Sequence, residues 1–198
     1  MATLGSAFLA TALKKKSIVL ILLCIPPIAG IIILMAVSHD KEHRAILLVG
    51  YYLISFYPGI SPLIYSWSGQ NTAGDTKRKV TTGILFVGAS AGNIIGPHLF
   101  TPAEAPMYSK GLRANLALFI AIVVIVISAT AYIKILNRNH AARRVALGKP
   151  AEVVDLSMET EHTLKETGQA LNAEDGGLGE KAFCDMTDLE NEDFIYVY

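Results

Sequence analysis

The sequence predicts an all-α polytopic membrane protein with four transmembrane helices, followed by an acidic tail expected to be disordered. Four apolar stretches, each near the roughly twenty residues that an α-helix needs to cross a bilayer, fill most of the chain up to position 135. Asp and Glu are absent from all four, and the cations inside their limits, His98, Arg113 and Lys134, lie near an end. The charges are also segregated: 15 of the 17 Lys and Arg precede residue 150, and 13 of the 17 Asp and Glu follow it. The chain therefore divides into a transmembrane region, residues 1–149, and a tail, residues 150–198.

The first span is placed at 17–37. It is apolar on every face, which suits contact with lipid, and Pro26 and Pro27 should kink it because each ring removes a backbone donor and crowds the preceding turn. Lys14, Lys15 and Lys16 follow an apolar stretch instead of opening the chain, so no signal-peptide cleavage is expected.

The second span, 45–67, carries Tyr51, Ser55, Pro58, Pro62 and Tyr65 at helical spacings that gather them on one face. Such a face belongs against protein or water. The third span, 80–100, has two such sides. Gly88, Gly92 and Gly96 form a small-residue ridge that lets another helix backbone approach closely. Phe86, Ser90, Asn93 and Pro97 fall on a second stripe, with Asn93 the most polar side chain deep in any span. Tyr51, Ser55, Ser90 and Asn93 are the candidate cavity-lining residues, and an interhelical hydrogen bond is the plain alternative for Asn93. The fourth span, 112–135, is again apolar all round.

Counting Lys and Arg by loop gives 11 on the side of both termini and 4 on the other, which places the termini in the cytosol. The outer loops are then too short for an ectodomain. Cys24 sits inside a span and Cys184 in the tail, so a disulfide between them is not expected. No metal-ligand cluster, nucleophile–base set or paired carboxylates occur in or beside the spans, so the chain does not read as an enzyme and no cofactor is expected. The basic residues flank spans, and nucleic acid is not an expected partner. The spans also hold no carboxylate to carry a proton and no deep cation for an anionic solute.

The loop after the second span contains W-x-x-x-N-x-x-G-x-x-K-R, formed by Trp67, Asn71, Gly74, Lys77 and Arg78, with Asp75 or Thr76 able to cap the next helix. It lacks the spacing of a phosphate-binding loop. With the run from Ala91 to Pro97, the run from Ala105 to Gly111, and the D-x-T-D-x-x-N-x-x-F-x-Y ending from Asp185 to Tyr196, it resembles the fungal allantoate permease family. That family is the anion:cation symporter branch of the major facilitator superfamily. The resemblance implies helices nine to twelve of a twelve-helix transporter, with the amino-terminal half absent from this sequence. It further implies plasma-membrane location, lipid contact for the ninth and twelfth helices, and proton-coupled symport of a small organic anion by the full-length form. The stretch from Gly5 to Lys16 would be the loop before helix nine. The isolated chain is then expected to be inactive. The competing expectation is a free-standing four-helix assembly or regulatory subunit. In the tail, Lys165 and Lys181 are candidate ubiquitylation sites and Phe194, Tyr196 and Tyr198 a candidate sorting signal, against the plainer expectation of a solvated segment.

Overall fold

The computed structural model describes residues 2–13, 15–148, 151, 185–191 and 193–198. Six α-helices are present among them: α1 (Ala2–Leu13), α2 (Lys16–Ala36), α3 (Arg44–Ile54), α4 (Ile60–Gln70), α5 (Asp75–His98) and α6 (Ser109–Ala146). Four stretches are long and apolar enough to cross a membrane: α2, Lys41–Gln70, α5 and α6.

Residues 2–13 form a helix and not the expected loop. Ser6 and Ala10 are its buried positions, and it packs on α2, α4 and the turn at 57–59. A helix of this length is too short to register as a span, and its small residues give no strong periodic stripe.

The second span is two helices, not one. Pro58 has no N–H to continue a helical ladder, and the backbone tightens ahead of it: Ser55 N donates to the carbonyls of Tyr51 and Tyr52, and Phe56 N to that of Leu53. A short 3-10 turn at Tyr57–Gly59 follows, and α4 then starts at Ile60. By contrast, α2 stays helical through Pro26 and Pro27.

The core is centred on α2. Val19, Leu20, Leu23 and Cys24 pack with Ala10 of α1, Ile60 and Leu63 of α4 and Val126 of α6. Toward its other end α2 crosses α3 at two glycines: a Cβ added to Gly30 would lie 2.5 Å from the carbonyl oxygen of Gly50. Side-chain-free contact at one point lets two helices approach closely enough for dispersion along the rest of the crossing. The first span, expected to contact lipid, thus packs on protein along one side and leaves Ile18, Leu22, Ile25 and Ile32 exposed on the other. A helix that is apolar on all sides carries no polar label to separate protein contact from lipid contact.

The third span differs in the opposite sense. Among the described residues none of α5 is buried, and its one substantial packing partner is α4, with Tyr65 and Phe86 stacked at 5.2 Å. The last helix runs on to Ala146, well past the expected limit at 135, with Arg143 and Arg144 in the final turn, where cations complement the helix dipole. At its start, Lys110 N donates to Glu104 Oε2 at 3.0 Å, and the Lys110 ammonium pairs with the same carboxylate at 2.8 Å.

Candidate functional site

The cavity candidates lie on the outer surface of this bundle. Tyr51 is 63% exposed. Ser55 is exposed and its hydroxyl donates back to the Tyr51 carbonyl at 3.1 Å, the local bond that a serine makes when no other partner faces it. Ser90 and Asn93 are exposed on α5 and meet no hydrogen-bond partner among the described residues. Gly88, Gly92 and Gly96 have nothing within 4 Å of an added Cβ. The close glycine contact among the described residues is instead Gly30 with Gly50, which no spacing within one helix reveals because the two lie on different helices.

The loop residues come together at the end of the bundle where α4 stops, α5 begins and α6 projects. Residues 185–191 and 193–198 are seated there. Trp67 Nε1 donates to the carbonyl of Val197 at 2.7 Å. Asn71, at the end of α4, gives its amide hydrogen to the same carbonyl at 2.9 Å and accepts from Val197 N at 2.8 Å. On α6, Asn137 does the same for the adjacent residue, donating to the Tyr196 carbonyl at 2.8 Å and accepting from Tyr196 N at 2.9 Å. Asparagine suits this because one side chain offers both a donor and an acceptor, as a neighbouring β-strand would.

The charged contacts follow the same division. Asp185 accepts from the amides of Asp75 and Thr76 and, at 2.9 Å, from the Thr76 hydroxyl, so α5 is capped by a carboxylate from the tail and not by Asp75 or Thr76 themselves. The Thr76 hydroxyl first, then the two amides, hold the Asp185 carboxyl below the usual carboxylate range. Gly74 turns the chain into α5 with φ +84, and an added Cβ there would be 3.3 Å from Asp185 Oδ1.

Asp188 is buried, pairs with Lys77, and accepts the Tyr196 hydroxyl at 2.8 Å. Burial alone would raise its pKa, but the hydrogen bonds from Lys77 and Tyr196 outweigh it and hold the carboxyl below its ordinary value. Burial, then the bond to Asp188, pushes the Tyr196 phenol above its ordinary value. The Tyr196 ring stands edge-on to His140 and to Phe194, and Lys134 lies over the ring of Tyr198. Thr187 and Glu190 close a turn through both the Thr187 amide and hydroxyl, which points Asp188 inward. Arg143 donates to the Leu189 carbonyl at 3.1 Å. Arg78 is turned into its own loop, onto the Thr72 carbonyl at 3.2 Å.

The ending of the tail is thus docked, in contrast to the disorder expected of the whole, and Tyr196 at 3% exposed is hidden where a sorting signal needs it free. Lys165 and Lys181 lie outside the described residues. The acidic composition of the tail hid this contact, because the partners of its ending, Asn71 and Asn137 among them, lie far away in the sequence.

No family model matches the chain, and no solved structure does. Curated relatives do match it. An uncharacterized transporter of Schizosaccharomyces pombe, C757.13, is 29% identical over 75% of this chain and 24% of its own length. The MFS-type transporter cnsL of Penicillium expansum is 25% identical over 98% of this chain and 34% of its own length. The thiamine pathway transporter THI73 of Saccharomyces cerevisiae is 27% identical over 88% of this chain and 27% of its own length. The chain is related to part of fungal transporters of the MFS type, and it spans about a quarter to a third of the length of the relatives it matches.

Proposed function

We propose that this chain is the carboxy-terminal part of a proton-coupled symporter of a small organic anion such as allantoate, acting in the plasma membrane with both termini cytosolic. The observation that carries the reading is the similarity to fungal transporters over nearly the whole chain, cnsL among them. The resemblance of the loop of Trp67, Asn71, Gly74, Lys77 and Arg78 to the allantoate permease branch supports the finer reading. The exposed sides of α5 add support: a glycine ridge and a stripe with Asn93, both open here, are surfaces that further helices of a longer transporter would cover. Tyr51, Ser55, Ser90 and Asn93 would then line the solute path by hydrogen bonding. The group that neutralises the anion and the proton carrier would lie in helices outside this chain, since the spans hold no carboxylate.

The test is uptake of labelled allantoate by permease-deficient yeast expressing either the 198-residue chain or a form extended to the length of its relatives. Uptake by the extended form, lost when the proton gradient is collapsed and absent from the short chain, is the expected result. Uptake indifferent to the gradient would remove the symport assignment. Since one relative is named for the thiamine pathway, unlabelled thiamine belongs among the competitors, and selective inhibition by it would replace allantoate as the solute. The same exposed ridge also fits a free-standing assembly subunit, which discrete crosslinked complexes of the short chain through Gly92 would favour.

A further inference from the structure

We infer that segment 185–198 is an intramolecular ligand for a composite site formed by Trp67, Asn71, Lys77, Asn137 and His140, and that its docking fastens α5 to α6.

The need for such a fastening follows from the packing. Among the described residues α5 packs substantially on α4 alone and has no buried position. Helix α6 packs mainly on α2. Among the described residues α5 and α6 do not pack substantially on each other, yet the seated segment touches both. Asp185 and Asp188 hold α5 through its first-turn amides, the Thr76 hydroxyl and Lys77. Tyr196 holds α6 through both hydrogen bonds of Asn137 and the edge of His140. Val197, the next residue, is held by Trp67 and Asn71 at the end of α4.

The seat is a built one. Two asparagines on different helices read the donor and acceptor of two consecutive residues, an arrangement that requires an extended ligand in one register. The side-chain contacts choose the sequence: a carboxylate for the α5 amides, a second for Lys77, and a tyrosine whose hydroxyl returns to that second carboxylate at 2.8 Å. The Tyr196–Asp188 bond folds the segment back on itself, so both ends of it engage together. Coupling of this kind lets loss of the α6 contact loosen the α4 and α5 contacts. The inference is independent of which solute is carried.

The chain has one tryptophan, and it is at the site. Its emission in the full chain, reconstituted in lipid nanodiscs, reports docking directly. Spin labels at Lys79→Cys and Arg138→Cys, both exposed positions, with Cys24 and Cys184 replaced by Ala, report the spacing of α5 and α6. Deletion of 185–198 and Asn137→Ala should each red-shift Trp67 and broaden the label distance distribution; Asn139→Ala, two residues on and exposed, should do neither. Lys77→Met, a change on the α5 side, should reproduce the broadening and guard against a fold-specific effect of the α6 variant. If the deletion leaves the distance distribution narrow, α5 is fastened by something else and the inference fails. If Asn137→Ala leaves Trp67 emission unchanged, the segment is held by the loop alone and the site is not composite, which also overturns it.

Discussion

Gly30 of α2 and Gly50 of α3 are backbone to backbone: a Cβ on Gly30 would stand 2.5 Å from the Gly50 carbonyl oxygen, and one on Gly50 would stand 3.1 Å from that of Gly30. The atoms that would be struck are main chain, which cannot swing aside as a side chain can. Gly30→Ala should therefore cost about 1–3 kcal/mol, the usual range for overpacking a tight contact. Gly92→Ala, with open space around it, should leave the stability of this chain unchanged. Thermal unfolding in detergent, followed by fluorescence-detected gel filtration, separates the two; equal losses would mean that the α2–α3 crossing is looser than described.

At Gly74 the limiting factor is backbone conformation. Its φ of +84 is a region where an L residue is disfavoured by about 1–2 kcal/mol, and the added methyl would also press on Asp185 Oδ1 and the Met186 carbonyl, each 3.3 Å away. Gly74→Ala should undock segment 185–198 in part and red-shift Trp67. Gly69→Ala, with nothing within 4 Å, should not. A blue or unchanged Trp67 spectrum in Gly74→Ala would refute the strain argument.

Lys16, at the start of α2, is 8% exposed, and its ammonium donates to the Ser66 hydroxyl at 2.7 Å. No other partner for that ammonium is present among the described residues. Removing the acceptor leaves a buried charge short of a bond, whereas removing the lysine removes the demand itself. Ser66→Ala should cost about 1–3 kcal/mol, and Lys16→Met less. The reverse order in unfolding midpoints would show that the lysine head is satisfied elsewhere.

Docking of the tail should depend on pH at both extremes and be flat between them. Asp188 faces Lys77 and Tyr196, Asp185 faces Thr76, and Glu190 faces Thr187; all three carboxyls are held below their ordinary values by these bonds. A depressed folded value contributes stability above the unfolded carboxylate pKa of roughly 4, and that stability is lost as the pH falls through the folded value. Tyr196, facing Asp188, His140 and Phe194, is shifted the other way, so its contribution is full below roughly pH 10 and is lost as the pH rises through the raised value. Trp67 emission should hold constant from about pH 5 to 9 and red-shift toward acid. Asp188→Asn should flatten much of that acid limb, and an acid limb of unchanged size would assign it to other carboxyls.

How much of this was legible in the sequence varies by element. The four spans follow from apolar runs without carboxylates, and hydropathy is a strong signal because a bilayer admits little else. Pro58 was visible, but the regular spacing of Tyr51, Ser55 and Pro62 suggested one helix, and the missing N–H won over the periodicity. The packing of Val19 and Leu20 was invisible, since a uniformly apolar helix looks the same against lipid and against protein. Trp67, Asn71, Gly74 and Lys77 stood out as a pattern, and so did Asp185 to Tyr196. What no local spacing could show is that these two patterns are a receptor and its ligand, joined through Asn137 across 59 residues and through Asn71 across 126.

The 38-residue length of α6 sets where that junction sits. From Lys134, at the end of the apolar run, to Ala146 the helix continues for roughly 18 Å at 1.5 Å per residue, a stretch that carries Arg138, Arg143 and Arg144. Asn137, His140 and Arg143 are on this projecting arm, which works as a lever: a tilt of about 10° within the bilayer sweeps its tip sideways by roughly 3 Å, the length of a hydrogen bond. Small angular changes in the membrane thus act least on the Asn137 bonds to Tyr196, close to the pivot, and most toward the tip, where Arg143 holds the Leu189 carbonyl.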